Sequence, residues 1–207
     1  MKGVKKENEV LDSDLLREIG SIGAGNAATS LSNLIQQKVL ITFPKIEVAN
    51  PKDIPKVLGL QNMRVVVIHK RLQGDYGCDI MLVFPEKEAE KIVSTMAKRT
   101  FGVDGLDEEM KVSAVEEVGN IVIGSFLSAI SNFTNIELVH TPPIHMTDIF
   151  DAILERILAK SYSPDENAVI FHTCFERDEG NIYGAVIIFL SEELQRELVR
   201  KGKAWLE

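Results

Sequence analysis

Ser113–Pro143 reads SAVEEVGNIVIGSFLSAISNFTNIELVHTPP, and Asp14–Pro44, 99 positions earlier, reads DLLREIGSIGAGNAATSLSNLIQQKVLITFP. Laid over each other without a gap, the two agree at Glu18/Glu117, Gly20/Gly119, Ile22/Ile121, Gly25/Gly124, Ser32/Ser131, Asn33/Asn132, Thr42/Thr141 and Pro44/Pro143. One register held from a helix-like run to a proline marks an internal duplication, so the chain is read as two related halves.

Read as helix, Ser113, Glu117, Asn120 and Gly124 follow i, i+4, i+7, i+11 and share one stripe. Val115, Val118, Val122, Phe126 and Ala129 form a separate apolar stripe suited to a core. The acid and the amide are left facing outward. Glycine inside a helix costs about 1 kcal/mol relative to alanine, so Gly124 on the polar stripe suggests close approach by another backbone or a partner protein. The equivalent stripe in the first copy is Asp14, Glu18, Ser21 and Gly25.

Around the repeats, the first helix is expected from about Asp14 to Gln36, capped by Asp12 or Ser13. KVLITFPKIEV then reads as a strand that Pro44 confines to an edge or a bend, and residues 50–61, with Pro51, Pro55 and Gly59, read as a loop. MRVVVIHKRL (63–72) and CDIMLVFP (78–85) make a hairpin about QGDYG. A helix from Glu86 follows, ending near Lys98 and Arg99 as the helix dipole favours. The second half repeats this order: a helix over 108–134, a strand-like IELVHT, and an amphipathic helix over 147–160 in place of the loop. SYSPDEN reads as a turn, AVIFHTCFER pairs with GNIYGAVIIFL, and a last helix is capped by Ser191. The hairpins share a Tyr-Gly pair, Tyr76-Gly77 and Tyr183-Gly184. The expectation is an α/β fold of two α-β-β-β-α halves, about 13–100 and 108–205. They join through FGVDGLDEE into one domain over 1–207, with pseudo-twofold symmetry, two long helices and an antiparallel sheet.

Composition narrows the function. The chain has 207 residues, 45% hydrophobic and 26% charged, which suits a globular protein with a substantial core. A net charge of −8 argues against broad electrostatic binding to nucleic acid or to an anionic membrane. The two cysteines, Cys78 and Cys174, sit in apolar strand-like runs, so a disulfide framework or zinc site is not expected and a reducing cytoplasm is the natural setting. No apolar run approaches the ~20 residues that span a bilayer, and Met1–Asn8 has no signal-peptide core.

Asp or Ser, three residues, Glu, two residues, Asn, twenty-two residues, Pro: in this spacing each copy resembles the signature of the CheC-type chemotaxis phosphatases. The second copy fits throughout with Ser113, Glu117, Asn120 and Pro143; the first has Asp14, Glu18 and Pro44 but Ser21 in place of Asn. The motif covers about 60 residues, and the rest of the chain fits the same duplicated plan. The resemblance implies a phosphatase acting on a phosphorylated CheY-like response regulator. Glu117 would dock by a charge-assisted bond to a lysine beside the phosphoaspartate, and the Asn120 carboxamide would orient the attacking water. The regulator would hold the Mg²⁺, and the chain would bind no metal or cofactor of its own. Ser21 is shorter than Asn and has one rotatable donor, so the second site is expected to dominate, with Glu18 still able to dock a regulator. CheC-type proteins can also bind the receptor deamidase CheD, although nothing in the sequence fixes that surface. The alternative is a non-catalytic CheY- or CheD-binding adaptor, or a flagellar-switch-type module.

Three other patterns compete. Gly23-x-Gly25-x-x-Ala28 imitates a dinucleotide fingerprint, with Glu47 downstream, but a helical run and not a strand precedes it. His140, His145 and Asp148 lack metal-ligand spacing and read as core or turn residues, and His69 and His172 fall inside expected strands. Ser125, Ser128 and Ser131 read as small packing residues along the helix, not nucleophiles.

Overall fold

A computed structural model describes residues 13–74, 76–161 and 167–205. Asp12 and most of the SYSPDEN turn lie outside them. Helix α1 (Ser13–Ile35) and helix α4 (Glu108–Thr134) are the two long helices read from the repeat. Asp107 caps α4 by accepting from Met110 N at 2.8 Å, and Glu108 and Glu109 fill the first turn, where the dipole favours acids. Both helices end on a left-handed residue, Gln36 and Asn135. The repeated serines secure these ends: Ser32 Oγ accepts from Val39 N at 2.9 Å, and Ser131 Oγ donates to Ile136 O at 2.6 Å.

The first half continues with β1 (Leu40–Ala49), α2 (Ile54–Leu58), β2 (Arg64–Arg71), β3 (Asp79–Pro85) and α3 (Glu86–Met96). The second has β4 (Ile144–Ile149), α5 (Phe150–Ser161), β5 (Ala168–Glu176), β6 (Ile182–Phe189) and α6 (Glu192–Trp205). Among the described residues the six strands form one antiparallel sheet in the order β1-β5-β6-β3-β2-β4. That order maps onto itself when the halves are exchanged, so the pseudo-twofold axis passes between β3 and β6. Each half lends its first strand to the other: β1 pairs with β5, and β4 with β2. The α/β fold class, duplicated halves and antiparallel sheet are therefore as expected.

One face of the sheet is covered by α1, α4, α3 and α6, the other by α2 and α5. Phe43, Phe126 and Phe171 stack edge to face at 5.2–5.5 Å between centroids, joining β1, α4 and β5 at the centre of the first layer. Repeated glycines set the approach of helix to sheet. A Cβ on Gly119 would stand 2.6 Å from Ile68 Cβ, and one on Gly20 2.8 Å from Phe171 Cε1. These positions exclude any side chain.

Several boundaries differ from expectation. Residues 50–61 are not a loop: Asn50 accepts from Lys52 N at 3.1 Å to start a 3-10 turn, and α2 follows with Ile54 and Pro55 buried. This helix is the counterpart of α5. IELVHT makes a single bridge, His140 to Leu72, and the strand begins only at Ile144. Pro142-Pro143 removes two successive donors, so a ladder cannot run through. Thr147–Ile149 then pair with Arg64–Val66, which delays the helix to Phe150. Lys98 and Arg99 lie in a π-helical turn, Ala97–Phe101, beyond α3. Tyr76-Gly77 belongs to the turn before β3 whereas Tyr183-Gly184 lies within β6, so the shared pair is not an equivalent feature. By length and composition alone α4 passes for a membrane span, contrary to the sequence reading, but its apolar side is taken up by the sheet and α1.

Candidate active site

The second-copy stripe lies where its spacing placed it. Ser113, Glu117 and Asn120 are exposed along α4 and Gly124 is half-buried, while Val115, Val118, Val122, Phe126 and Ala129 are buried. Glu117 and Asn120, three residues apart, are neighbours on the helix surface. A Cβ on Gly124 would meet nothing within 4 Å, so no backbone of the described chain explains that glycine. Pro143 is half-buried immediately before edge strand β4.

Beneath the stripe lies a residue that the sequence reading passed over. Lys70, on β2, is 2% exposed, and its Nζ donates to Asn120 Oδ1 at 2.5 Å. Lys70 shares the strand face of Val66 and Ile68, and the Gly119–Ile68 contact presses α4 onto that face. Burial pushes the Lys70 ammonium below the ordinary lysine range, and the nearby Glu117 carboxylate pulls it back up. A lysine in phase with the inward side of an otherwise apolar strand was the available signal, but the identity of the helix above it was not.

The first copy has the corresponding long helix but different chemistry. Asp14, Ser21 and Gly25 are exposed and Glu18 is half-buried on α1. Ser21, Gly25 and Pro44 line one cleft of about 760 Å³ between α1 and β1, together with Arg17 and Lys45. The ladder slips between Thr42 and Lys45, so Pro44 sits on a bulged edge strand, as its missing donor requires. Matching β2 to β5 by their ladders and by the glycine contacts sets Ile68 against Phe171, His69 against His172 and Lys70 against Thr173. Thr173 is buried and donates to Phe171 O at 2.9 Å. The first copy thus replaces both members of the Lys70–Asn120 pair.

The residues of the competing patterns lie on several elements with separate partners. Gly23 lies mid-helix, where a Cβ would stand 3.2 Å from the Phe126 ring, and the residues from Ser13 up to it are helix, not strand. Glu47 is engaged by His172 at 2.7 Å and Lys45 at 2.8 Å. His69 contacts Asp79 at 2.5 Å. His140 Nδ1 lies 3.1 Å from Thr141 O, and Asp148 pairs with Arg156 at 3.1 Å. Burial lowers the pKa of His145. Among the described residues no three His, Cys, Asp or Glu side chains converge as a metal site. Ser125 bonds back to Ile121 O at 2.8 Å. Cys78 and Cys174 are free and buried, and burial raises both thiol pKa values.

What the fold and the stripe define is an internally duplicated α/β protein that presents an acid and an amide on the outer side of a core helix. The CheC-like family model matches residues 11–48 and 110–146, the two motif segments, so the CheC-type resemblance is borne out. The CheY-P phosphatase CheC of Bacillus subtilis is 28% identical over 173 residues, 83% of this chain and 81% of the relative. The flagellar motor switch phosphatase FliY of the same species is 28% identical over 141 residues, 67% of this chain but 36% of FliY. The crystal structure of Thermotoga maritima FliY has the same fold, with a TM-score of 0.70 at 22% identity, covering 96% of this chain and 98% of that one.

Proposed function

We propose that this chain hydrolyses the aspartyl phosphate of a CheY-like response regulator, with Glu117 and Asn120 as its working residues. The observation that carries this reading is the placement of an unshielded carboxylate and a carboxamide side by side on a helix whose other side is fixed in the core. The family match and the relatives named as CheY-P phosphatases support it.

In this reaction the Glu117 carboxylate accepts a charge-assisted bond from a lysine of the regulator. Asn120 holds a water in line with the phosphorus. As the water oxygen bonds to phosphorus, the bond from phosphorus to the aspartyl oxygen breaks, returning a carboxylate and free phosphate. The Mg²⁺ needed to offset phosphoryl charge is supplied on the regulator. Positioning alone accounts for several kcal/mol of barrier, so no general base is required of this chain. The first copy favours a second role for α1: Glu18 can dock a regulator there, but Ser21 offers no carboxamide to hold the water.

Affinity and rate separate the two residues. Asn120→Ala is expected to slow phosphate release by about 10²-fold with regulator affinity retained. Glu117→Ala removes a bond to a charged group worth about 1.5–3 kcal/mol, so affinity falls by roughly 10- to 100-fold. Binding of the regulator with no change in phosphate lifetime would replace the phosphatase by an adaptor.

A further inference from the structure

We propose that Lys70 is a positioning residue of the second site, its buried ammonium fixing the Asn120 carboxamide in the one orientation that presents its Nδ2–H groups to a water on the outer side of α4. The proposal rests on the phosphatase reading and assigns a role to a residue outside the CheC-type signature.

The argument begins with donor chemistry. A lysine ammonium has three donors and no acceptor, so the amide atom it meets must be the oxygen, and the amide nitrogen must point away. Without that bond, the terminal torsion of an asparagine is broad and roughly twofold, and an exposed Asn120 would sample both orientations. One orientation brings the donors to the water and the other brings the acceptor. Lys70 removes that choice.

Stability gives no reason for such a lysine. The ammonium of a lysine that is 2% exposed overall gives up hydration, and replacing a buried ion by an apolar side chain of similar size is often neutral or stabilising. Methionine would fill the same space on β2, between Ile68 and Leu72, which lie on the same strand face. The second copy nevertheless keeps the charge, and it is bonded to the motif amide. The first copy, in which Ser21 replaces the amide, has Thr173 at the equivalent floor position. Amide and ammonium are absent there together, as two parts of one device would be.

The test compares Lys70→Met, Asn120→Ala and the double variant with wild type. We measure kcat and KM for phosphate release from a phosphorylated CheY-type regulator with Mg²⁺, Tm, and NMR relaxation of the Asn120 side-chain amide in the free protein. Lys70→Met is expected to lower kcat by about 10- to 100-fold, as misplacement of the water requires. KM and Tm stay at or above wild type, and the change adds nothing in the Asn120→Ala background. The Asn120 amide is rigid in wild type and mobile in Lys70→Met. Wild-type kcat in Lys70→Met, an equal loss in both backgrounds, or a mobile amide in the wild type overturns the proposal. The last readout requires no variant to fold. If the wild type leaves phosphate lifetime unchanged, the phosphatase reading falls, while the amide relaxation still decides whether Lys70 holds Asn120.

Discussion

Lys70 and Glu179 illustrate how single charges couple this fold to pH, both adding stability as pH rises but in separate windows. Burial lowers the Lys70 pKa, so between that lowered value and the ordinary lysine value near 10.4 the unfolded chain binds more protons than the folded one. Stability contributed at this position therefore rises with pH across that window, and Lys70→Met is expected to remove the rise. Glu179 is held at about pKa 2, first by its bond from Arg99 at 2.5 Å and then by Gln37. Its contribution is present above the ordinary value of about 4.3 and is lost as pH falls toward 2. At 40% exposure the pair is screened by solvent, so Glu179→Gln should flatten the acid limb of urea midpoint against pH only slightly. At this scale the sequence was informative where geometry is local: that Glu117 and Asn120 share one exposed stripe of α4 was legible from spacing. Lys70 was not, because its meaning depends on which helix lies over β2, a contact between residues 50 apart.

Two glycines of one helix carry opposite expectations. Gly119→Ala would place a methyl 2.6 Å from Ile68 and lift α4 off β2, and is expected to cost about 1–3 kcal/mol in urea unfolding. Gly124→Ala meets nothing within 4 Å and should gain up to about 1 kcal/mol from helix propensity. If a partner approaches Gly124 closely, the same stabilising change weakens regulator binding. A Gly124→Ala protein that is more stable and binds as wild type would remove Gly124 from the docking surface. The helices were legible because a 3.6-residue period repeats over many turns and the copies corroborate each other. Short elements were not: Pro51 opens the 3-10 turn and Pro55 the first turn of α2, and Pro142-Pro143 postpones β4 where β-propensity alone placed a strand earlier.

For the whole molecule, the exchange of β1 and β4 between halves is the defining feature. The duplication was evident from residues 99 apart, yet the strand order was not, because each half's alternation suits pairing within or across halves equally well. We propose that the two halves are one folding unit. A fragment ending near Leu106 lacks the partner of β1, so alone it should be unfolded as a monomer by circular dichroism, and addition of the second fragment should restore a one-to-one folded complex. A monomeric folded half would contradict this. The measurement that reaches the central claim most directly is the lifetime of the phosphoaspartate on a CheY-type regulator with Mg²⁺, followed under saturating wild type and under saturating Asn120→Ala. The account predicts a lifetime shortened by the wild type and returned close to the regulator's own value by Asn120→Ala. Equal shortening by both proteins, or none by the wild type, would contradict the assignment of catalysis to α4.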